Sequence, residues 1–330
     1  MDDWILQYPK IELHCHLDGS IPPDTIRRLT ENPSLPLESM TVEPECRNLA
    51  EYLKRFDLPL SVMQTEEGLT AVAEDFLESL KADGVRYVEV RFAPMLCVNQ
   101  GLTCRQVMEA VLKGLERGKQ KTGIFYNVIV CAMRNHSYEE NFHVLLTALE
   151  FYKAGVCAFD LAGDESSYPT GQYQELFRKA KDYRMPYTIH AGECGSVGDI
   201  RAAFEFGARR IGHGIALIQD KDLMKQLEKK GVGLEVCPTS NFQTQAVPKG
   251  TEYPLKALYE AGVKVTINTD NRTVSGTDLT KELAFALALL GSGREPQLVW
   301  QQAAVEKLEK NAIDIAFADD SVKDMLWKLL

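Results

Sequence analysis

Lys10-Ile11-Glu12-Leu13-His14-Cys15-His16, followed by Leu17-Asp18-Gly19, places two histidines two residues apart at the end of an alternating, strand-like run. Residues i and i+2 of a strand share a face, so His14 and His16 project together. Adjacent imidazoles are either ordinary strand histidines or two nitrogen ligands of one divalent metal ion. Polar residues at the ends of later apolar runs favour the second reading. Asp160-Leu161-Ala162-Gly163-Asp164-Glu165, His190-Ala191-Gly192-Glu193, Gly212-His213-Gly214, Pro238-Thr239-Ser240-Asn241 and Asn268-Thr269-Asp270-Asn271 each close such a run. Four of the 6 histidines in the chain stand at these ends, a concentration that packing alone does not require.

His14, His16 and His190 supply three neutral imidazoles, and Asp270 a carboxylate. A nitrogen-rich set with one oxygen and an open position suits a single catalytic Zn²⁺. Water on such an ion has a pKa near ~7 instead of ~16, so hydroxide is available at neutral pH. Asp270 would bind the ion and accept a hydrogen bond from that water; its plain alternative is a turn aspartate. Glu193, three residues after His190, is a candidate proton donor provided that burial keeps it protonated. His213, set between two glycines, would orient the water, take its proton or steady developing charge. A surface glutamate and a core histidine bonded to backbone are the structural alternatives for this pair. His143 falls on a helix and is read as structural; His136, near the end of a strand, is left open.

Those side chains must be carried by something. Eight strand-like runs, at 10–16, 86–92, 124–133, 156–161, 187–190, 210–213, 233–237 and 264–268, alternate with stretches of helical periodicity. The runs are short, rich in Val, Ile, Tyr or Phe, and read as apolar on both faces, as parallel strands under helices should be. Residues 66–83 put Leu69, Val72, Ala73, Phe76, Leu77 and Leu80 on one stripe. Segments 102–121, 138–153, 171–183, 200–206, 220–230 and 255–260 behave similarly, and 279–290, 296–311 and 321–330 read as added helices. Strand followed by helix, eight times over, predicts an α/β fold of the (β/α)₈ barrel type spanning 1–330 as one domain. In such a barrel the strands' carboxyl ends form the active face, where the polar residues gather. An open doubly wound sheet is the rival, but no Gly-rich fingerprint follows the first strand. Residues 22–64, with Pro22, Pro23, Pro33, Pro36, Pro44 and Pro59, form an irregular insertion after strand 1, read as a lid over the barrel mouth.

The chain has 330 residues and a formal net charge of −10, with no basic cluster, which argues against a nucleic-acid backbone as partner. No apolar run reaches a membrane span, and Met1-Asp2-Asp3-Trp4 is unlike a signal peptide. The 8 cysteines are irregularly spaced, and Cys15, Cys97, Cys131, Cys157 and Cys237 sit in or beside apolar runs. Buried thiols of a reducing, cytoplasmic compartment are the expectation.

Taken together, Pro9-Lys10-Ile11-Glu12-Leu13-His14-Cys15-His16-Leu17-Asp18-Gly19-Ser20 resembles the amino-terminal signature of the adenosine deaminase family. The Asp160–Glu165, His190–Glu193, Arg210–Gly214, Cys237–Asn241 and Asn268–Asp270 segments resemble its later motifs, in order. The resemblance implies a zinc-dependent barrel that hydrolyses the 6-amino group of a purine nucleoside, giving inosine and ammonia from adenosine and the corresponding deoxynucleoside from 2′-deoxyadenosine. It implies that His14, His16, His190 and Asp270 hold the metal and that Glu193 protonates purine N1. It further implies that His213 orients or deprotonates the water, that the backbone N–H of Gly163 contacts the purine, and that Asp18, beside His16, binds a ribose hydroxyl. Members acting on free adenine tend to have Glu at the Asp18 position, so Asp favours a nucleoside. Adenine, methylthioadenosine or another 6-substituted purine is the alternative substrate. The chain departs from the family pattern at Asn271, where many members have Asp, and at Arg272, where Pro is common. Asn271 still bonds the purine edge without a charge, and Arg272 reads either as a mouth residue favouring an anionic substrate or as a surface residue.

Overall fold

The computed structural model describes residues 3–43, 46, 48–248, 250–292 and 297–330; Met1, Asp2, Pro44 and Pro296, which enter the expectations above, lie outside them. Eight strands form: β1 (Lys10–His16), β2 (Val85–Phe92), β3 (Phe125–Met133), β4 (Val156–Ala162), β5 (Thr188–Ala191), β6 (Arg210–His213), β7 (Gly233–Val236) and β8 (Lys264–Ile267). They pair in parallel as two runs, β1-β2-β3-β4 and β5-β6-β7-β8. Two seams join the runs. Phe159 N donates to Pro186 O (2.9 Å) between β4 and β5, while His16 N donates to Asp270 O (2.7 Å) and Asp270 N to His14 O (2.9 Å) between β1 and β8. The sheet therefore closes into the expected (β/α)₈ barrel, and the open-sheet alternative is excluded. Strand limits fall within one residue of those read from the sequence. Helix limits shift more, because capping rather than periodicity sets them: the helix expected from Leu102 starts at Cys104, where Thr103 and Gln106 form a capping box.

The β1–β8 seam has few ladder bonds, so buried side chains complete it. Asn268 Oδ1 accepts from Leu13 N (3.0 Å) and Glu309 Oε2, from the helix Leu298–Ile315, accepts from Ile11 N (2.8 Å). Glu12 accepts from the Thr269 hydroxyl (2.7 Å). Each satisfies a strand group that would otherwise be orphaned in the interior.

The expectation that strands are apolar on both faces fails inside the barrel. Glu89, Arg91, Asp160, Arg210 and Glu235 are all fully buried. Strand β2 pairs only with β1 and β3, yet Arg91 reaches Asp160 on β4 (2.8 Å) and Glu235 on β7 (2.7 Å). Arg210 on β6 likewise reaches Glu89 on β2 (2.5 Å), and it also pairs with Glu235 on the adjacent β7 (2.5 Å). Contacts between strands that are not neighbours have to cross the lumen. The barrel interior is thus packed with paired charges, while Val88, Val90 and Phe92 of β2 join the apolar core. After the helix Leu298–Ile315, Phe317 plugs this network: its N–H donates to Glu89 (2.6 Å) and its ring lies 4.1 Å from the Arg210 guanidinium carbon.

Burial raises the Glu309 carboxyl from its ordinary value to about 8. The folded chain therefore holds this proton more tightly than the unfolded chain does. The resulting stabilisation is complete below the unfolded carboxyl range and fades as pH rises toward the folded value. Glu309→Gln keeps an acceptor for Ile11 N–H and cannot ionise. Its stability relative to the parent should rise between about pH 5 and pH 8 by at least ~1 kcal/mol in urea unfolding. A difference that does not change with pH would show that Glu309 is not titrating against the seam.

Candidate active site

The carboxyl ends of β1, β5 and β6 present His14 and His16, His190 and His213, and Asp270 follows β8. Their ring orientations are set from beneath. His14 Nδ1 donates to Glu235 Oε2 (2.8 Å), and His190 Nδ1 donates to Asp160 Oδ2 (3.0 Å). Arg91 grips both carboxylates, so one guanidinium aligns two imidazoles. With each Nδ1 proton committed, the Nε2 atoms of His14 and His190 carry free lone pairs. His14 Nε2 is buried without a hydrogen-bond partner. It lies 3.3 Å from Asp270 Oδ1, while His16 Nε2 lies 3.4 Å from that oxygen and 3.2 Å from His190 Nε2. The four residues expected as metal ligands are brought together at one point.

That packing requires Gly212, since a Cβ there would come within 3.1 Å of both His14 Cε1 and His190 Cα. Buried acceptors facing one another without protons are costly unless a cation lies among them. Three imidazole nitrogens and a carboxylate oxygen fit a divalent ion of zinc's ligand preference. His14, His190, His213 and Asp270 also offer ligand atoms within 4.8 Å of one another, so His213 belongs to the same cluster. His213 (φ 57°) and Asp270 (φ 59°) both adopt left-handed backbone, a strained conformation for residues with side chains. Asp270 is held there by the β1 seam, and its Oδ2 accepts the Ser240 hydroxyl (2.6 Å).

Charge at the site is sorted by burial and pairing. Burial pushes the Glu193 carboxyl well above the usual range, reinforced by the negative charge of Asp270. Burial opposes ionisation of Asp270 too, but the His14 side chain beside it, with His16 and His213, prevails and holds it well below the ordinary value. Burial likewise lowers His16, His190 and His213. Glu193 is fixed through its backbone: Glu165 accepts from the N–H groups of Gly192 (2.6 Å), Glu193 (3.0 Å) and Cys194 (3.2 Å). Its Oε2 sits 3.5 Å from His213 Nε2.

A cavity of about 470 Å³ opens above the cluster, and His16, Asp18, Gly163, His190, Glu193, His213, Asp270 and Asn271 all line it. His14 lies buried below. Asp18 Oδ1 and Asn271 Oδ1 are buried and unpartnered, and burial raises the Asp18 carboxyl to about 7. Asn271 lies against Gly19, where a Cβ would fall 1.9 Å from Asn271 Oδ1. The insertion supplies the apolar wall through Leu49, Tyr52, Leu53, Phe56 and Leu60, and Tyr52 is fastened to Ser275 (2.6 Å).

Arg272 is neither a mouth residue nor an exposed surface one, its side chain being 11% exposed. It turns away from the mouth to pair with Asp83 (2.9 Å), at the end of the helix Glu66–Ala82. His136 lines a separate depression with Tyr138 and Tyr173, and His143 is exposed on its helix. Sequence reasoning missed Glu235 and Arg91 altogether, and quoted Asp160, Glu165 and Asn241 without giving them work. The available signal was a charged residue inside an otherwise apolar strand, such as Glu235 in Gly-Leu-Glu-Val.

A closed (β/α)₈ barrel with imidazole and carboxylate donors converging at its carboxyl face defines a hydrolase-type metal barrel. Residues 9–330 match the family model described as adenosine deaminase. The chain is 42% identical to an adenosine deaminase of Enterococcus faecalis, covering 98% of this chain and 96% of that one, and 39% identical to one of Clostridium botulinum, covering 96% of each. An adenine deaminase structure from Arthrobacter aurescens superimposes with a TM-score of 0.84 at 26% identity, covering 98% of both chains. An N6-methyl-AMP deaminase from Arabidopsis thaliana does so at 0.83 and 28%, covering 99% of this chain and 97% of that one. The chain belongs to the adenosine deaminase family.

If Asp160 orients His190, Asp160→Asn should weaken metal binding ~10- to 100-fold. Competition with a chromophoric chelator measures this; an unchanged affinity would reduce Asp160 to a partner of Arg91 alone.

Proposed function

We propose that this chain deaminates adenosine to inosine and 2′-deoxyadenosine to 2′-deoxyinosine, releasing ammonia, with one Zn²⁺ per subunit held by His14, His16, His190 and Asp270. The observation that carries the reading is the pairing of this donor cluster with a buried, proton-holding Glu193 on one wall of a nucleoside-sized cavity. Zinc bound there supplies the Lewis acidity that makes water nucleophilic near neutral pH. Glu193 holds a proton for purine N1, the atom toward which electrons move as oxygen adds to C6. Delivering it there stabilises the addition state more than the ground state. Asp270 accepts from the attacking water while Ser240 pins its other oxygen. The proton taken from the water passes to the 6-amino group, which leaves as ammonia, and the remaining C6 hydroxyl proton restores the acid, leaving the 6-oxo product with its proton on N1.

Asp18 and Asn271 address the rest of the substrate. The unpartnered Asp18 oxygen needs a donor, which a ribose hydroxyl provides beside His16. Asn271 offers N–H to purine N7 at any pH, whereas an aspartate there would first need a proton. Gly163 brings bare backbone to the purine edge. Residues 22–64 act as a lid whose apolar side chains keep the cavity dry. A nucleotide suits this site poorly. No Lys or Arg is among the described residues lining the cavity, whereas Asp18, Asp57, Asp164 and Glu193 are. With Arg272 committed to Asp83, no cation among the described cavity-lining residues meets a 5′-phosphate. No helix among the described residues is long and apolar enough to cross a membrane; with reduced, unpaired cysteines we take the compartment to be the cytoplasm.

Glu193→Gln should retain zinc and lose ~10²- to 10⁴-fold in kcat with adenosine; near-parental turnover in metal-quantified protein would remove Glu193 from the proton path. In a panel of adenosine, 2′-deoxyadenosine, adenine, methylthioadenosine and AMP, the two nucleosides should lead in kcat/KM. AMP should trail adenosine by at least ~100-fold, as expected for an unpaired phosphate among carboxylates. AMP turned over as well as adenosine would contradict the assignment.

A further inference from the structure

His213 belongs to the donor cluster by distance, but its partner differs in kind from those of the other histidines. His14 and His190 each turn Nδ1 to a carboxylate, which accepts the ring proton. His213 turns Nδ1 to the side-chain amide of Asn241, with Asn241 Nδ2 at 3.0 Å. Asn241 is itself oriented by Tyr253, whose hydroxyl donates to Asn241 Oδ1 at 2.7 Å. That separation is typical of O–H···O and short for N–H···O, so the carbonyl end of the amide faces the tyrosine and the NH₂ end faces the imidazole. Both residues are buried, Asn241 at 0% and Tyr253 at 4% exposure.

We infer that Asn241 and Tyr253 are positioning residues that hold His213 with its ring proton on Nε2, making it a hydrogen-bond donor into the cavity and keeping it out of the metal's ligand set. An amide N–H pointing at Nδ1 needs a lone pair there, so the neutral ring must carry its proton on the other nitrogen. Were Nε2 to bind a metal, Nδ1 would need the proton, and two N–H groups would face each other at 3.0 Å. The partner beneath each ring thus sorts the histidines: a carboxylate exposes a bare nitrogen, an amide exposes an N–H. The N–H of His213 lies beside Glu193 Oε2, where it can bond the oxygen that adds to C6. The catalytic consequence rests on the deaminase reading; the tautomer does not.

The test uses zinc-loaded protein carrying ¹⁵N-histidine, with long-range ¹H–¹⁵N correlation assigned by comparison with His213→Gln. The parent should show His213 protonated at Nε2 only. In Asn241→Asp a carboxylate replaces the amide and puts a proton on Nδ1. Zinc content should stay the same, adenosine KM should remain within about 3-fold, and kcat should fall ~10²-fold, the loss expected for a misdirected transition-state donor. Tyr253→Phe keeps the ring and removes the hydroxyl, so a mixture of tautomers and a kcat loss of roughly 10-fold should follow; this variant serves if Asn241→Asp does not fold. A parent spectrum with the proton on Nδ1, or variants with unchanged tautomer and kcat, would overturn the inference. Parent protein that shows the Nε2 proton but does not deaminate adenosine would overturn the deaminase reading alone.

Discussion

One guanidinium organises this molecule. Arg91 is fully buried between Asp160 and Glu235, and each of those carboxylates aligns a histidine above it. A buried ion pair that loses one partner costs roughly 3–5 kcal/mol, because the remaining charge stays in a dry interior. The network therefore tolerates little partial assembly, and it ties β2, β4, β6 and β7 into one geometry. The lumen charges also fail to balance by themselves: the two guanidiniums of Arg91 and Arg210 face the three carboxylates of Glu89, Asp160 and Glu235. Asp270, held ionised at the rim, brings the excess to two negative charges. A divalent cation among the donors would balance that excess.

What the sequence reveals follows from the range of each signal. Strands were legible to within a residue because apolar, β-branched runs of four to nine residues are local. The His14–His16 pair was legible because a period of two is local as well. The lumen network was not. Its partners lie 69 residues apart for Arg91 and Asp160 and 144 apart for Arg91 and Glu235, and no pattern along the chain links them. Reading the strands as apolar on both faces overlooked Glu89 and Arg91, two charges at i and i+2 on β2 that announce a polar inner face.

Arg272 shows a different limit. Two residues after a metal-binding candidate, it looks like part of the mouth, but proximity in sequence does not give direction. Asp270 takes left-handed backbone, and the chain turns so that Arg272 meets Asp83 on the barrel flank. There Asp83 also accepts from Leu279 N (2.8 Å) and Thr280 N (3.0 Å), so the pair anchors the start of a later helix to the end of an early one. Asn271, one residue earlier, stays in the cavity because Gly19 leaves it room. Two neighbouring departures from the family pattern thus have unrelated consequences, one in the cavity lining and one in the scaffold.

The last constraint is dryness. Glu193 shares one cavity with His16, His190 and His213, 3.5 Å from the last, and in water a carboxylic acid beside neutral histidines would lose its proton to them. Burial disfavours charge on both kinds of group, raising the acid and lowering the bases. The same desolvation therefore keeps the proton on Glu193 and keeps these imidazoles neutral, with neither state stabilised at the other's expense. It depends on the apolar wall of Leu49, Leu53, Phe56 and Leu60, which has no part in the chemistry. An insertion that looks in sequence like an irregular, proline-rich connection is what allows an acid and a set of lone pairs to coexist a few ångströms apart.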